Sequence, residues 1–580
     1  MTEMGCANRG NMVSRCNIVT HINPFVTMKS LSLVIILLIS GINFITAQTF
    51  TEILGRPTDR TMAMSILFDR RTDVFFEYGT APGIYSLRTD TFQAKQDTAL
   101  EADFINLLPD ARYFYKTMFK PSDSITGFTG GTEHSFNTQR PAGRTFTFAI
   151  EADPHLDTNT IPASYTLTLQ NIQSKDPDFL IDLGDNFMSE KLAVEDQTNI
   201  TARHLLYRPY YGIACNSSPL YLVLGNHEGE LGWMLSGTAD CLPVMAANTR
   251  KMFYPNPHPN TFYSGDSIPQ NFVGLRGDYY SWHWGNALFI VLDPFWYTTA
   301  KGGWGYTLGE AQYNWLKHQL TANHDKFKFV FCHNLLGGKG SDARGGMEYV
   351  DFFEMGGKNA DSTWGFTANR PGWDKPIHQL MVENKVNVFF HGHDHCFAKQ
   401  DKDGIVYQEV PQPSARNITN FLGTQYGYQN GVLMPSRGYM LVTVTDTNAR
   451  LDYIRTFLPN EETGGHTNGE IAYSYSVSAP PSGIHVYNEN SGSFVLSQNY
   501  PNPFRGETII QYKVEKADRV QLKIFDICGK EINTLVSQNQ AAGDYSVTLN
   551  SNTLKLNPGI FYYRITVGNI SKSMKMICLE

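Results

Sequence analysis

Short apolar runs that end in polar residues recur through the middle of the chain, from about residue 144 to residue 460. The runs that have the length and apolar character of buried strands are TFTFAIE (145–151), DFLIDL (178–183), LYLVL (220–224), ALFIVL (287–292), FKFVF (327–331) and VNVFF (386–390). Segments at 161–175, 309–320 and near 376–385 lie between them and predict helices. Strands that alternate with helices predict a layered α/β core.

Both ends of the chain have a different pattern, in which β-forming residues cluster between turn residues. Residues 49–143 predict a β-sandwich, and their segment INLLPDARYFYK (105–116) resembles fibronectin type III domains. Residues 494–580 predict a second small all-β sandwich, preceded by a Ser-, Pro-, Gly- and Asn-rich linker at 475–493. We therefore predict a multidomain chain, in which an α/β domain at 144–474 lies between two small β-sandwich domains.

The first 48 residues predict a targeting segment and not a folded domain. Lys29 precedes an apolar segment at 31–45, and small residues around Ala47 follow, which is typical of a secretory signal peptide. We expect Met28 to be the true start. The apolar segment is short for a spanning helix, which needs roughly 20 residues, and no later segment is long and apolar enough to cross a membrane.

Composition narrows the possible partners. The chain has 580 residues and a formal net charge of −8, so no overall basic field would attract nucleic acid or an anionic membrane. An anionic substrate would have to be held by local charge. Cys215 and Cys241 are candidates for a disulfide in an exported chain, whereas Cys332 and Cys396 are expected to be buried inert thiols.

Polar, metal-binding residue types follow five of the predicted strands. The five segments are Asp153-Pro154-His155, Gly184-Asp185-Asn186, Gly225-Asn226-His227-Glu228, Cys332-His333-Asn334 and Gly392-His393-Asp394-His395. The last segment taken alone is explained by a hydrogen-bonded turn after a core strand. Because strand ends converge at one edge of an α/β sheet, five such segments together predict a metal site built from imidazole, carboxylate and amide groups.

The order of these segments resembles the calcineurin-like metallophosphoesterase superfamily, whose pattern is DxH, GDxx, GNH[DE], a lone His and GHxH. The resemblance implies a four-layer αββα sandwich with two divalent ions, which would be manganese, iron or zinc. It implies that one ion is held by Asp153, His155, Asp185 and His395, and the other by Asp185, Asn226, His333 and His393. Asp185 would bridge the two ions, and His227 would give a proton to the leaving oxygen; a turn-capping role is its structural alternative.

Two details concern the branch of this superfamily. The segment GDNFM (184–188) resembles the GDNFY of purple acid phosphatases, but Met188 stands where those enzymes have a tyrosine ligand. His155 stands where they have glycine, so a different donor completes the site. Phosphoprotein phosphatases have an aspartate at the position of Met188, and this aspartate pairs with the catalytic histidine. Met188 cannot form that pair, so the orientation of His227 is open.

Several neighbouring residues have two possible roles. Glu228 and Asp394 are candidates to orient the imidazoles, and Asn186 and His391 are weaker candidates. Five aromatic residues could line a substrate rim or pack in the core, and core packing is the expected role for most of them. They are Trp282, Trp284, Phe295, Trp296 and Tyr297. The long insertion at 228–278 is expected to form a rim over the site.

The C-terminal segments LSQNYPNPF (496–504) and NPGIFYYRI (557–565) resemble the type IX secretion sorting domain of Bacteroidota. The resemblance implies transit through the periplasm, recognition by the type IX machinery, export across the outer membrane, and release or attachment at the cell surface. A small adhesive β-sandwich is the alternative.

Together these features predict a secreted, dinuclear metal-dependent phosphoester hydrolase that uses a metal-bound hydroxide. A phosphomonoesterase is the first expectation, and a phosphodiesterase or nucleotidase on the same site is its alternative, because the motifs define the metals and not the leaving group. Nucleic acid is expected only as a possible substrate. A surface-binding protein with an idle metal site is the candidate from another class.

Overall fold

The computed structural model describes residues 49–479, 494–527, 529–568 and 570–579. The predicted leader at 1–48 and most of the predicted linker, residues 480–493, lie outside the described residues. The predicted linker begins inside a strand, because β22 continues to Ser478.

Strands and helices are numbered here in chain order. The strands up to the first helix are β1 (Phe50–Gly55), β2 (Met62–Phe68), β3 (Thr72–Gly79), β4 (Leu87–Arg88), β5 (Phe92–Ala94), β6 (Leu100–Phe104), β7 (Arg112–Pro121), β8 (Thr129–Asn137) and β9 (Phe146–Glu151). The α/β part continues with α1 (Pro162–Lys175), β10 (Phe179–Asp182), α2 (Gln197–Ala214), β11 (Leu220–Leu222), α3 (Leu242–Phe253), β12 (Ser264–Gly265), β13 (Tyr280–Trp284), β14 (Ala287–Val291), α4 (Gly309–Ala322), β15 (Phe327–Phe331), α5 (Phe353–Gly356), α6 (Phe366–Asn369), α7 (Ile377–Glu383) and β16 (Val388–His391). It closes with β17 (Phe397–Lys402), β18 (Ile405–Glu409), β19 (Val432–Met434), β20 (Gly438–Val444), β21 (Asn448–Arg455) and β22 (Ile471–Ser478).

Two large sheets form the centre of the α/β part. One has nine strands in the order β22-β21-β20-β9-β10-β11-β1-β2-β6, and the other has eight in the order β12-β13-β14-β15-β16-β18-β17-β19. Their facing sides share one apolar cluster, in which Phe148 of β9 lies edge-on to Phe289 of β14 with 5.1 Å between ring centroids. Burial of aromatic faces on this scale is the main force that holds the sheets together.

Helices cover the outer side of each sheet. Leu169 of α1 and Tyr207 of α2 pack in one cluster with Leu180 of β10, while Leu316 of α4 and Leu380 of α7 pack in another with strands of the eight-stranded sheet. The resulting order of helix, sheet, sheet and helix confirms the predicted four-layer fold. The helices predicted at 161–175, 309–320 and 376–385 are present as α1, α4 and α7.

The N-terminal β module is continuous with the nine-stranded sheet. β1 pairs in parallel with β11 through Gly55 and Leu220, and β2 and β6 extend the sheet beyond it. The other five strands of the module, β3, β4, β5, β7 and β8, form a separate sheet, and both sheets bury one apolar cluster between them. The predicted boundary near residue 143 therefore does not separate two independent sheets.

A buried arginine ties this module to the α/β part. Arg208 of α2 is fully buried and donates hydrogen bonds to the side chains of Thr51 and Ser65, to both of their carbonyls, and to the carbonyl of Phe253. A charge at this depth is tolerated because its donors have acceptors.

The cysteine expectations have mixed outcomes. Cys215 and Cys241 are free thiols, so the suggested disulfide is wrong. Cys215 lies in the core against α2, whereas Cys241 lies at the start of α3 and donates to the carbonyl of Thr238. Cys332 and Cys396 are buried as expected, and burial raises the pKa of both thiols.

The C-terminal strands form a sandwich of their own. They are β23 (Phe494–Leu496), β24 (Glu507–Val514), β25 (Asp518–Phe525), β26 (Glu531–Gln540), β27 (Gly543–Asn550), β28 (Gly559–Val567) and β29 (Ile570–Cys578). β23, β24 and β27 form one sheet and β26, β25, β28 and β29 the other. Within the described ranges, no helix has the length and apolar character needed to cross a bilayer.

Candidate metal centre

Five strands deliver the predicted residues to one place. β9, β10 and β11 are adjacent and parallel in the nine-stranded sheet, and β15 and β16 are adjacent and parallel in the eight-stranded sheet. Because parallel strands end on the same side, the loops after these five strands converge at one edge of the two packed sheets. The structure thereby brings together seven of the predicted residues with close contacts among them, which are Asp153, His155, Asp185, His227, His333, His393 and His395.

The first group of potential ligands is Asp153, His155 and His395, whose donor atoms lie within 4.8 Å of one another. Asp153 Oδ1 lies 3.6 Å from His395 Nε2 and 3.8 Å from His155 Nε2. His155 Nε2 also lies 3.6 Å from Asp185 Oδ2. A single ion placed among these atoms could contact all of them.

The second group is Asp185, His333 and His393, whose donor atoms also lie within 4.8 Å of one another. Asp185 Oδ2 lies 3.2 Å from His333 Nε2, which lies 3.2 Å from His393 Nδ1. Oδ2 of Asp185 therefore lies close to histidines of both groups. Asn226 lies beside this group in the same cavity as His393.

Unsatisfied polar atoms test whether metal fits these residues. Asp153 Oδ1, His155 Nε2 and Asn226 Oδ1 are buried and form no hydrogen bond within the described part of the chain. Such atoms cost about 1–3 kcal/mol each when nothing binds them. All three belong to the predicted ligand set and have nitrogen or oxygen donors suited to manganese, iron or zinc, so the donor set fits divalent metal.

Hydrogen bonds fix which imidazole nitrogen is free. His333 Nδ1 lies 2.8 Å from the carbonyl oxygen of Leu183, and His393 Nε2 lies 2.7 Å from that of Asp342. A carbonyl oxygen accepts only, so these nitrogens carry the hydrogens. In the neutral imidazoles, the lone pairs of His333 Nε2 and His393 Nδ1 are therefore directed at the second group.

The ligand loops are strained and tightly packed. Five of the ligand residues have positive φ values, which are 59° for Asp153, 54° for His155, 63° for Asp185, 81° for His393 and 55° for His395. This conformation raises the backbone energy of non-glycine residues, and such strain is concentrated at functional sites. A Cβ atom at Gly392 would lie 2.6 Å from Asp153 Oδ2, and one at Gly225 would lie 2.3 Å from Asp185 Oδ1. The glycines of these two motifs let the loops approach the carboxylates.

The electrostatics keep the carboxylates ionised. Burial opposes ionisation, but the surrounding histidines hold the pKa of Asp153 at about 2 and that of Asp185 well below its usual range. Burial also lowers the pKa of His395 to about 4, so this imidazole is neutral at pH 7 and free to ligate. The neighbouring carboxylates outweigh burial at His333 and raise its pKa to about 9.

Two side chains brace the ligand loops through the backbone. Glu228 accepts hydrogen bonds from the amides of Gly225, Asp185 and Asn186, which joins the loops after β10 and β11. Arg203 of α2 donates to the carbonyls of Phe187, at 2.8 Å, and of His155, at 3.0 Å. The contribution of Arg203 was not predicted, since nothing in the sequence indicates that α2 reaches these loops.

The other residues around the ligands can be compared with their expected roles. Glu228 braces the backbone instead of an imidazole, and Asp394 accepts from Arg344, Tyr428 and the amide of Gly345. His391 is paired with Glu409 at 2.7 Å, behind the site. Of the predicted aromatic group, Trp282, Trp284, Phe295 and Trp296 are buried, which agrees with core packing.

Glu190 is a second functional residue that the sequence analysis did not predict. Its Oε1 pairs with Nδ1 of His227, while Nε2 of His227 lies 3.7 Å from Asp185 Oδ2. Burial opposes protonation of this imidazole, but Asp185 and Glu190 raise the pKa of His227. The sequence does contain a carboxylate close to Met188, since Glu190 follows it by two residues. A short 3₁₀ turn at Ser189–Lys191 directs Glu190 back to His227.

Two cavities open onto the ligand cluster. The tryptophan cavity, of about 370 Å³, is lined by Asn226, His393, Trp233, Lys301 and Arg344 among others. The asparagine cavity, of about 390 Å³, is lined by His155, His395, Asn417, Asn420 and Leu422 among others. Lys191 and His227 line both. The insertion contributes Leu231, Trp233 and Met234 to the first cavity, in agreement with the predicted rim.

Comparison with known proteins gives two family matches and a shared fold. The family model of the calcineurin-like phosphoesterases matches residues 146–397, and that of the secretion system C-terminal sorting domain matches residues 498–579. No curated protein sequence matches the chain. The structure of PhoD is similar with a TM-score of 0.55 and 13% identity, over 74% of this chain and 90% of that chain.

A purple acid phosphatase from yellow lupin (Lupinus luteus) seeds has a TM-score of 0.48 and 14% identity, over 74% of each chain. The similarity to PhoD shows the fold, and the family models identify the domains that carry the motifs. Residues 146–397 belong to the calcineurin-like phosphoesterase family, and the chain is a phosphoester hydrolase with a C-terminal secretion sorting domain.

Proposed function

We propose that the chain hydrolyses phosphoesters at a two-metal site, with Asp153, His155, Asp185 and His395 around one ion. Asp185, Asn226, His333 and His393 would surround the other. The observation that carries this proposal is the position of Asp185 Oδ2, which faces histidines of both groups at 3.2 Å and 3.6 Å. When bound, two divalent ions would neutralise the phosphoryl oxygens and make a water acidic enough to attack phosphorus as hydroxide at neutral pH.

The protein side of the reaction is proton transfer and positioning. Nε2 of His227 points into the site, and Nδ1 is held by Glu190. His227 would donate its Nε2 proton to the ester oxygen as the bond to phosphorus breaks. The amide of His227 also donates to Asp185 Oδ1 at 2.8 Å, which ties the position of the acid to that of the bridging carboxylate.

Both substrate classes expected from sequence present the same phosphoryl oxygens to such a site. A phosphomonoester, the first expectation, carries one ester substituent, as does a nucleotide that a nucleotidase hydrolyses, and a phosphodiester carries two. A surface-binding protein with an idle metal site, the alternative from another class, would show no metal-dependent turnover of either ester.

Metal-dependent turnover tests this proposal. Purified protein would be stripped of metal, supplied with manganese, iron or zinc, and assayed with p-nitrophenyl phosphate and bis(p-nitrophenyl) phosphate. We expect turnover that requires metal, and a loss of more than about 100-fold in Asp185→Asn together with reduced metal content. The matched control is Asp361→Asn, since Asp361 is an exposed turn residue that binds only Thr363. Full activity without metal, or no turnover of either ester, would contradict the proposal.

The sorting domain indicates export to the exterior or the cell surface. We propose that the route runs through the periplasm and the type IX machinery, so that the hydrolase acts on phosphoesters outside the cell. Detection of the full-length chain in the periplasm and of a shorter chain outside would support this route.

A further inference from the structure

The two cavities meet at the point where a phosphoryl group would bind. The tryptophan cavity contains Asn226 and His393, and the asparagine cavity contains His155 and His395. Among the residues that the structure describes, only His227 and Lys191 line both cavities. Phosphorus placed beside Asp185 and His227 would therefore have open space on two sides.

Each cavity is large enough for its own organic group. Their volumes, about 370 Å³ and about 390 Å³, both lie at the lower end of the roughly 300–1,000 Å³ typical of small-molecule sites. A phosphomonoester has one substituent and would leave one of the two cavities filled with water. Two cavities of equal size around one reaction centre suit a substrate with two substituents.

On this geometry, and resting on the proposed phosphoester hydrolysis, we infer that the substrate is a phosphodiester whose two ester substituents occupy the tryptophan cavity and the asparagine cavity.

The linings differ, which would distinguish the two substituents. In the tryptophan cavity the Lys301 ammonium lies 5.3 Å from the centre of the half-buried Trp233 ring, and Arg344 lies over Tyr426. An aromatic face beside cations favours a planar or anionic group. The asparagine cavity has the amides of Asn417 and Asn420 beside the half-exposed Leu422, which suits a neutral polar group with apolar parts.

The reaction balances without a further reactant. The oxygen of one water forms a new bond to phosphorus, and one ester bond to phosphorus breaks. The departing alkoxide takes a proton from Nε2 of His227, and the proton lost by water returns the imidazole to its charged form. The products are one alcohol and one phosphomonoester, whose remaining substituent still lies in a cavity.

A set of esters with one leaving group tests the inference. The probes are p-nitrophenyl phosphate, methyl p-nitrophenyl phosphate and bis(p-nitrophenyl) phosphate, which all release p-nitrophenolate. The methyl ester has the charge of a diester but a second substituent too small to fill a cavity. We expect kcat/KM to be highest for the bis ester, by at least about 10-fold over each of the others.

Variants assign each substituent to a cavity. Trp233→Ala and Leu422→Ala should each lower kcat/KM for the bis ester by about 10-fold or more, whereas the monoester should be affected by at most one of them. Trp364→Ala, at a 58% exposed tryptophan outside both cavities, is the matched control. Calorimetric binding gives a readout besides turnover: dibenzyl phosphate should bind more tightly than benzyl phosphate, and both variants should weaken it.

The outcomes separate this inference from the proposed function. Turnover of the monoester without preference for the bis ester would overturn the inference and leave phosphoester hydrolysis standing. A bis ester that is preferred but insensitive to either variant would also overturn it, since the second substituent would then lie outside the cavities. No metal-dependent turnover of any probe would overturn both.

Discussion

Glu190 and His227 form an ion pair at the edge of the metal centre, with Oε1 of the glutamate on Nδ1 of the imidazole. Their side chains are 12% and 13% exposed, so water screens the pair only partly. The pairing fixes the ring so that Nε2 faces Asp185, the direction in which a leaving group would lie. Sequence reasoning left the orientation of His227 open, and the neighbouring 3₁₀ turn supplies it.

Removal of this carboxylate should impair proton donation. In Glu190→Gln, we expect kcat to fall roughly 10- to 100-fold, less than the about 10²–10⁴-fold that a general acid itself contributes. Glu190 raises the pKa of His227, so its loss lowers that pKa and moves the basic limb of the pH–rate profile to lower pH.

Glu195→Gln, at an exposed residue of the same loop, is the control and should keep the wild-type profile. A Glu190→Gln profile that falls in rate without moving along the pH axis would contradict an effect through His227. Substrates with good leaving groups should be less sensitive, because they need less protonation.

Metal binding should strengthen as pH rises. In the metal-free protein the carboxylates raise the pKa of His333 to about 9 and that of His155 well above its usual value, so both imidazoles hold protons at neutral pH. A metal must displace these protons, and its affinity therefore increases from neutral pH up to about 9. Calorimetry with manganese in buffers of different ionisation enthalpy would count the protons released.

The exposed His466 offers a control, since His466→Asn should release as many protons as the wild type. An affinity for manganese that does not change between neutral pH and about 9 would show that these imidazoles are already neutral or do not ligate.

Arg203 should support metal affinity without touching the metal. It holds the carbonyls of His155 and Phe187, which lie on the loops that carry ligands of both groups. In Arg203→Met we expect metal affinity to fall by about 10- to 100-fold, as for other groups that orient ligands indirectly. Arg144→Met, at a 62% exposed side chain paired with Asp110, should retain wild-type affinity. Equal metal affinity in the Arg203→Met and wild-type proteins would assign Arg203 to packing alone.

Arg208 should decide whether the N-terminal β module and the α/β part unfold together. Arg208→Met would remove the hydrogen bonds that the guanidinium donates to the buried carbonyls of Thr51, Ser65 and Phe253, at a cost of about 3 kcal/mol in the free energy of unfolding. Of these three, only the carbonyl of Phe253 would keep a side-chain donor among the described residues, which is the hydroxyl of Ser65. Hydrogen exchange followed against denaturant concentration should show residues 49–143 and the α/β part opening in one transition in the wild type, and at a lower midpoint with the same slope in the variant.

Arg60→Met, at an exposed side chain of the same module, is the control and should shift the midpoint little. Separate transitions for residues 49–143 and for the α/β part of the wild-type protein would contradict the continuity of the sheet as an energetic unit.

The sequence alone determined the layered core and the chemistry at its edge. Apolar runs such as 327–331 and 386–390 must be buried to avoid exposing their side chains, and polar residues at their ends must then gather at one edge of the sheet. Asp153, Asp185 and His333 are therefore expected together from the sequence alone. The sequence could also exclude a spanning helix in the body of the chain from the length of the apolar runs.

Features that depend on contacts between distant segments were decided only by the tertiary structure. The suggested link between Cys215 and Cys241 fails because one thiol is buried against α2 and the other lies at the start of α3. β1 joins the nine-stranded sheet by pairing with β11, which is about 165 residues later and has no local signal for that pairing.

The same limit applies at the site. The periodicity and motifs of the sequence specify which side chains point inward, because that depends on local geometry and burial. The pairing of Glu190 with His227, the reach of Arg203 to His155 and the two cavities on either side of the ligands depend on how loops fold back after the strands end. Loop conformation is set by many weak non-local contacts, so only the folded chain shows it.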